Sequence, residues 1–217
     1  MTNPPALGLP APDALREWFG EIDIYLFDQL LKGRILPGMK ILDAGCGGGR
    51  NLLYLLRCGL DVSAVDSSAE AVEHVRGLAA RLAPQLPPEN FRAEPVEALS
   101  FPDSSFDAVL SSAVLHFARD ESQFHAMLRE MWSVLKPGGL LFVRLASSIG
   151  IEERVERLEG RRHLLPDGSQ RFLVDESFLL ALTRELGGIL ADPLKTTNVQ
   201  NLRCMTTWVV LKGAPPA

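Results

Sequence analysis

The chain has 217 residues, 47% of them apolar and 23% charged, with a formal net charge of −5 at pH 7. That length suits one domain with a sizeable core, and the acidic balance offers no electrostatic footprint for nucleic acid or an anionic membrane. Cys46, Cys58 and Cys204 show no C-x-x-C spacing, which argues against a disulfide framework or a zinc site and is consistent with a reduced, cytoplasmic protein.

Met1 to Pro12 is proline-rich, without a basic n-region or an apolar h-region, and so does not read as a signal peptide. With Ala214 to Ala217 it is expected to form poorly ordered tails. No apolar run approaches the length of a membrane span; Leu140 to Val143 is cut by Arg144. Residues 13–32 pattern as two short helices broken near Gly20, and 13–35 reads as an N-terminal helical lid. Lys40 to Ala44 is a first strand, followed by a glycine-rich turn and a helix carrying Leu52, Leu53, Leu55 and Leu56 that closes at Gly59. Asp61 to Asp66 is a second strand, and Ser67-x-x-Glu70 reads as a capping box for a helix with a stripe of Ala71, Val75, Leu78, Ala79 and Leu82.

Phe91 to Ala93 and Phe106 to Ser111 are the third and fourth strands. Asp120-x-x-Gln123 caps a helix striped by Phe124, Met127, Leu128, Met131 and Leu135, and Lys136-Pro137-Gly138-Gly139 turns it into a fifth strand, Leu140 to Leu145. Beyond it the pattern predicts a charged helix over Ile151 to Leu158, a hairpin over Leu164 to Phe172 around a Pro-Asp-Gly turn, and a helix from Asp175 to Leu186. Two strands, near Lys195 to Val199 and Thr206 to Lys212, close the chain. Strands alternating with helices imply an α/β, doubly wound, Rossmann-like and mostly parallel sheet with helices on both faces. Residues 13–213 are expected to be one domain, with 36–146 as the cofactor-binding core and 147–213 as a substrate-side elaboration.

The most informative stretch is the turn after the first strand. A dinucleotide fingerprint needs a small residue at its last position, where this chain has Arg50. What stands instead is D-x-G-x-G-x-G, with Asp43, Gly45, Gly47 and Gly49. Glycine allows the tight turn and close approach of a ligand, and the following helix start points free N–H groups at that ligand. About 20 residues on, Asp66 ends the second strand, where a carboxylate can accept from both hydroxyls of an adenosine ribose.

These residues resemble motif I and its acidic partner in the class I S-adenosylmethionine-dependent methyltransferases. Glu97 to Asp107 is similar to the segment that covers the adenine there, and Leu135 to Gly139 looks like the turn before strand five. Within the family, Gly49 to Leu55 with Gly59 to Asp66 resembles the tellurite-resistance-type branch, which methylates small soft nucleophiles such as chalcogen oxyanions or thiols. The resemblance implies a seven-stranded sheet with an antiparallel last strand, and S-adenosylmethionine as cofactor with S-adenosylhomocysteine as product. It further implies methyl transfer to a small-molecule acceptor, with neither nucleic acid nor membrane as partner; monomer and homodimer stay open. The cofactor-binding set it implies is Asp43, Gly45, Cys46, Gly47, Gly49, Arg50, Asn51, Asp66, Ser67, Val96, Glu97 and Ser111. One departure stands out: Pro95 and Val96 occupy the place of the usual adenine-contacting acid and small residue, leaving Glu94 or Glu97 to take over. That departure keeps open a cofactor-binding module without transfer activity.

In-line transfer from a sulfonium demands mainly proximity and alignment, so no triad is expected. His116, after the fourth strand, is the candidate general base, or else a histidine packed beside the adenine. Trp18, Phe19 and Tyr25 are candidates for aromatic cover over the sulfonium, with Trp18, Tyr25, His116 and Arg171 forming the expected substrate side. Arg161, Arg162, His163 and Arg171 form a local basic cluster suited to an anionic acceptor or to plain solvation. No His pair at i, i+4 is present, and no metal is expected.

Overall fold

The computed structural model describes residues 10–213. The expected tails at 1–9 and 214–217 lie outside the described residues; Pro12, read as tail, opens the first helix instead. In chain order the elements are α1 (Pro12–Phe19), α2 (Ile24–Leu31), β1 (Lys40–Ala44), α3 (Leu52–Arg57), β2 (Asp61–Asp66), α4 (Ala69–Leu82), β3 (Phe91–Ala93) and β4 (Phe106–Ser112). There follow α5 (Glu121–Val134), β5 (Leu135–Ser147), β6 (Glu156–Glu159), β7 (Arg162–Leu164), β8 (Gln170–Phe172), α6 (Glu176–Glu185), β9 (Gly188–Leu190), β10 (Lys195–Val199) and β11 (Arg203–Lys212). The break between α1 and α2 falls at Gly20, with φ +61°.

The main sheet runs β10-β11-β5-β4-β1-β2-β3, with β9 also pairing β11. Pairs β1–β2, β1–β4, β2–β3 and β4–β5 are parallel, and β11 lies antiparallel to β5. The sequence alternation forces this: each parallel pair needs a helical crossover, and the helices then cover both faces. Alternate residues of β5 divide between two cores. Leu141, Val143 and Leu145 pack with α5 and α6, while Leu140 and Phe142 pack with α3 and α4. The buried Trp208 of β11 donates from Nε1 to Thr183 Oγ1 at 2.9 Å, so its polar atom is satisfied in the first of these cores. Arg144, two residues beyond Phe142, faces the second, and its register partners are Ser112 on β4 and Thr207 on β11.

Two expectations fail locally. The helix expected over Ile151 to Leu158 is a 3₁₀ turn at Glu152–Arg154 followed by β6, which pairs with β7 as the outer strand of a three-stranded sheet β6-β7-β8. All four residues of β6 are exposed, so no apolar period opposed a helical reading, and backbone pairing decides. The cap of α4 is Ser68, not Ser67: Ser68 Oγ accepts from Ala71 N. Among the described residues no helix is long and apolar enough to cross a membrane.

Candidate functional site

At the carboxyl ends of β1, β2 and β4, where ligands bind in open α/β sheets, lies a cavity of about 610 Å³. Its floor is the glycine turn. Gly45, Gly47 and Gly49 have φ of +86°, +49° and +76°, a region that favours glycine. The amides of Gly45 and Cys46 both donate to Val65 O at 2.9 Å, tying the turn to β2. Asp66 stands at the end of β2. Its Oδ2 accepts from Gly47 N at 2.8 Å and its Oδ1 from Ser68 N at 2.9 Å, so each oxygen keeps a further lone pair for a ligand. A Cβ on Gly47 would meet nothing within 4 Å, which leaves open space above that part of the turn.

The opposite wall comes from the loop after β3 and from α5. Pro95, Val96 and Glu97 line the cavity with Gln123 and Met127, and Gln123 Nε2 donates to Glu97 Oε1 at 2.6 Å. Glu94 is turned away: its two oxygens accept from the amide and hydroxyl of Ser100. The segment after β4 completes the site with Ser112, Ala113, Val114 and Phe117. Ala113 adopts φ +65° and donates its amide to Arg144 O at 2.7 Å, a conformation that an alanine keeps only where the surroundings hold it.

A second cavity of about 260 Å³ shares Arg50 and Ala113 with the first and includes His116, Arg144, Asp167, Arg171 and Arg203 in its wall. Between the two sits Asp23, the N-cap of α2. Its side chain is wholly buried; it accepts from Ser112 Oγ at 3.0 Å and Arg144 Nη1 at 3.1 Å, and lies 3.6 Å from Arg50 Nη2.

Comparison with known proteins gives the family. A family model described as a methyltransferase domain matches residues 42–143. The ubiquinone biosynthesis O-methyltransferase of Xanthomonas campestris pv. campestris is 30% identical over 190 residues, covering 78% of this chain and 76% of that protein. The chain belongs to the class I S-adenosylmethionine-dependent methyltransferases. The protein of the same name from a Chelativorans species is 29% identical to this methyltransferase over 194 residues, 83% of this chain and 73% of its own. Two solved structures share the methyltransferase fold. One is a SAM-dependent methyltransferase from Methanosarcina mazei, with TM-score 0.67 and 22% identity over 86% of this chain and 98% of that one. The other is the 1,6-didemethyltoxoflavin-N1-methyltransferase of Burkholderia thailandensis, with TM-score 0.66 and 21% identity over 96% and 93%.

Of the residues expected on the cofactor side of this methyltransferase, Gly45, Cys46, Gly47, Arg50, Asn51, Asp66, Ser67, Val96 and Glu97 line the large cavity. Asp43, Gly49 and Ser111 do not. Asp43 lies buried beneath the turn, where desolvation pushes its carboxyl up to about 7 against the opposing Arg50 cation, with the Asp66 carboxylate adding to the rise. Gly49 packs under the turn, where an added Cβ would come within 3.0 Å of Val75 Cγ2. Ser111 faces the other core, and its neighbour Ser112 takes the lining position. Burial, with the Asp43 and Asp66 carboxylates nearby, raises the Cys46 thiol well above its usual range, which disfavours its thiolate form.

The substrate-side expectations change more. Trp18 is 59% exposed and lines a separate depression with Ala14, Glu17 and Arg57, and Phe19 packs on Phe27 and Tyr54. Among the described residues, none of 10–35 lines the large cavity, so the expected lid buttresses the site from the side. Tyr25 alone of the three aromatics comes near: Arg144 lies 5.3 Å from its ring centroid, and its hydroxyl is 2.7 Å from Thr197 Oγ1. His116 is not built as a base. Its Nδ1 accepts from Ala146 N at 3.1 Å, which fixes the remaining proton on Nε2, and burial with the Arg171 charge nearby lowers it to about 4. The sequence cluster Arg161-Arg162-His163 divides from Arg171: Arg161 pairs with Asp175 at 2.8 Å and covers the Phe178 ring, while Arg171 enters the second cavity.

One consequence for the turn is testable. A Cβ at Gly45 would come within 2.4 Å and 2.8 Å of the two Val114 methyls, on a backbone at φ +86°. Gly45→Ala is therefore expected to cost at least the roughly 1–3 kcal/mol of a forced left-handed residue. Adding Val114→Ala should return only the steric part. Urea unfolding of both variants measures this; a Gly45→Ala protein as stable as the parent would mean the turn is not held against Val114.

Proposed function

We propose that the protein transfers a methyl group to a small-molecule acceptor, with the large cavity holding the cofactor and the second cavity receiving the acceptor. The observation that carries this is Asp66, fixed by Gly47 N and Ser68 N at the cavity mouth with lone pairs to spare for two vicinal hydroxyls. When bound, S-adenosylmethionine supplies an activated methyl group on sulfur; the chain has to bind, orient and exclude water. Asp66 takes the ribose. Val96, 5% exposed, offers an apolar face to the adenine with Met127. Glu97, steadied by Gln123, stands in for the acid missing at Pro95 and accepts from the adenine amino group. Arg50 faces the methionyl carboxylate, with Asp43 buried beneath the turn.

His116 acts here as a neutral donor through Nε2–H, positioning the acceptor rather than deprotonating it. The reaction then suits an acceptor that reaches the site already nucleophilic. That the relatives are named O-methyltransferases supports oxygen as the receiving atom.

A parallel thermal titration with S-adenosylmethionine, S-adenosylhomocysteine and NAD tests the cofactor side. The two adenosyl ligands at about 100 times their Kd should stabilise the protein by about 2.7 kcal/mol, and NAD should not. Asp66→Ala should cost S-adenosylhomocysteine binding about 1.5–3 kcal/mol, the value of a charge-assisted hydrogen bond, with Asp66→Asn retaining part of it. Equal affinity in folded Asp66→Ala would remove the ribose role. Screening O-, S- and N-nucleophiles for release of S-adenosylhomocysteine then names the acceptor.

A further inference from the structure

The second cavity gathers four guanidinium groups from four separate parts of the chain: Arg50 from the end of the glycine turn, Arg144 from β5, Arg171 from β8 and Arg203 from β11. Such convergence is unexpected on a chain of net charge −5. Among the described residues, two carboxylates lie within 4 Å of them. Asp23 lies behind the cavity and holds Arg144 at 3.1 Å and Arg50 at 3.6 Å. Asp167 lies within 4 Å of Arg203 alone, through Oδ2 at 3.9 Å, while its Oδ1 accepts from the amide and hydroxyl of Ser169. Arg171 has no carboxylate partner among the described residues; its Nη1 donates to Gln170 O at 2.7 Å and its charge lies 4.8 Å from the Phe117 ring centroid. The Nε of Arg144 is buried and has no hydrogen-bond partner. The guanidinium of Arg144 is therefore only partly satisfied by the protein. His116, held in the tautomer with a proton on Nε2, adds a neutral donor to the same wall.

We infer that this cavity takes the acceptor by an anionic group, a carboxylate or a phosphate-like oxyanion, held chiefly by Arg144, Arg171 and Arg203. The guanidinium fork matches such groups in a bidentate fashion, as a lysine would not. The surplus of about two positive charges on the wall, set beside a cationic cofactor, selects against cationic acceptors and steers anionic ones in. Arg50, common to both cavities, sits where the two ligands would meet. This rests on the assignment of the large cavity to the cofactor, but the anion site can be measured without it.

The test uses three anions against matched controls: benzoate against benzamide, phenyl phosphate against phenol, and tellurite against sodium chloride at equal ionic strength. Each is titrated into the protein with and without S-adenosylhomocysteine and followed by melting temperature. At least one anion should stabilise the protein above its control. Arg171→Gln and Arg203→Gln, both at the cavity's outer wall and outside the larger cavity, should each weaken that anion about tenfold or more, equivalent to about 1.4 kcal/mol. Their affinity for S-adenosylhomocysteine should be unchanged. No anion exceeding its control, or anion binding indifferent to both substitutions, overturns the inference. Absence of any S-adenosylhomocysteine response, with anion binding intact, counts against the cofactor assignment alone. Which anion binds distinguishes carboxylate, phosphate ester and inorganic oxyanion as the acceptor's chemistry.

Discussion

Asp23→Ala is expected to destabilise the methyltransferase by about 3–5 kcal/mol, the range for stripping one partner from a buried ion pair. The Asp23 side chain is wholly buried, and Arg144, its counter-ion, is one-fifth exposed. The same carboxylate caps α2 through Tyr25 N at 3.0 Å and accepts from Ser112 Oγ, while its own amide donates to Asn51 Oδ1 at 2.9 Å. Removing it leaves the Arg144 cation in a desolvated setting with its Nε already unpartnered. For a chain of this size the loss corresponds to a fall in Tm on the order of 10 °C. Asp23→Asn separates the contributions, because it can keep the helix cap while losing the charge. Pairing Asp23→Leu with Arg144→Met should recover much of the stability, since a buried pair replaced by apolar residues is often neutral or better. A loss under about 1 kcal/mol in Asp23→Ala, as for a surface pair, would show that water reaches Arg144 and that the pair is no more than a surface bridge.

That hub was not legible in the sequence. Asp23 reads locally as a helix-capping acid, which it is, and nothing near it in the chain announces Arg50, Ser112 and Arg144. Those meet because Ser112, Arg144 and Thr207 are register neighbours on β4, β5 and β11, a fact of strand pairing across nearly a hundred residues. The glycine turn and Asp66 are different. Their conformation is dictated by residue type within one βαβ unit, so spacing alone places them, and they lie where the pattern put them. Local rules failed where burial gave no guidance. The segment 156–159 carries helix-compatible charges but is exposed throughout, and pairing with β7 makes it a strand. The basic run at 161–171 looked like one patch because its residues are close in sequence. Arg161 stands in the turn before β7 and pairs with Asp175, while Arg171 on β8 enters the cavity. His116 had the right residue type and position for a base; its tautomer depends on an amide 30 residues away.

Between about pH 4.5 and 6.5 the stability of the protein is expected to vary little, because two buried groups oppose each other. His116 is lowered from 6.5 to about 4 by burial, so the unfolded chain binds its proton first, and its contribution is complete above pH 6.5 and lost as pH falls toward 4. Asp43 is raised from 3.8 to about 7 by burial, so here the folded state binds the proton first; its contribution is present below pH 4 and lost as pH rises through 7. Each slope approaches about 1.4 kcal/mol per pH unit in the shared window, with opposite sign. The acids held low, such as Asp175 at about 2, titrate below that window and leave it clear. Single variants should expose each slope. His116→Gln should leave a protein that grows more stable from pH 6.5 down to 4.5, by about 2–3 kcal/mol. Asp43→Asn should leave one that loses a similar amount over the same interval. Urea unfolding at pH 4.5, 5.5 and 6.5 reads both directly. If the Asp43→Asn curve stays flat, then His116 is not held neutral and Nδ1 is exchanging its bond to Ala146 N with water. In that case His116 is free to take a proton, and the general-base role that its geometry denies would be restored.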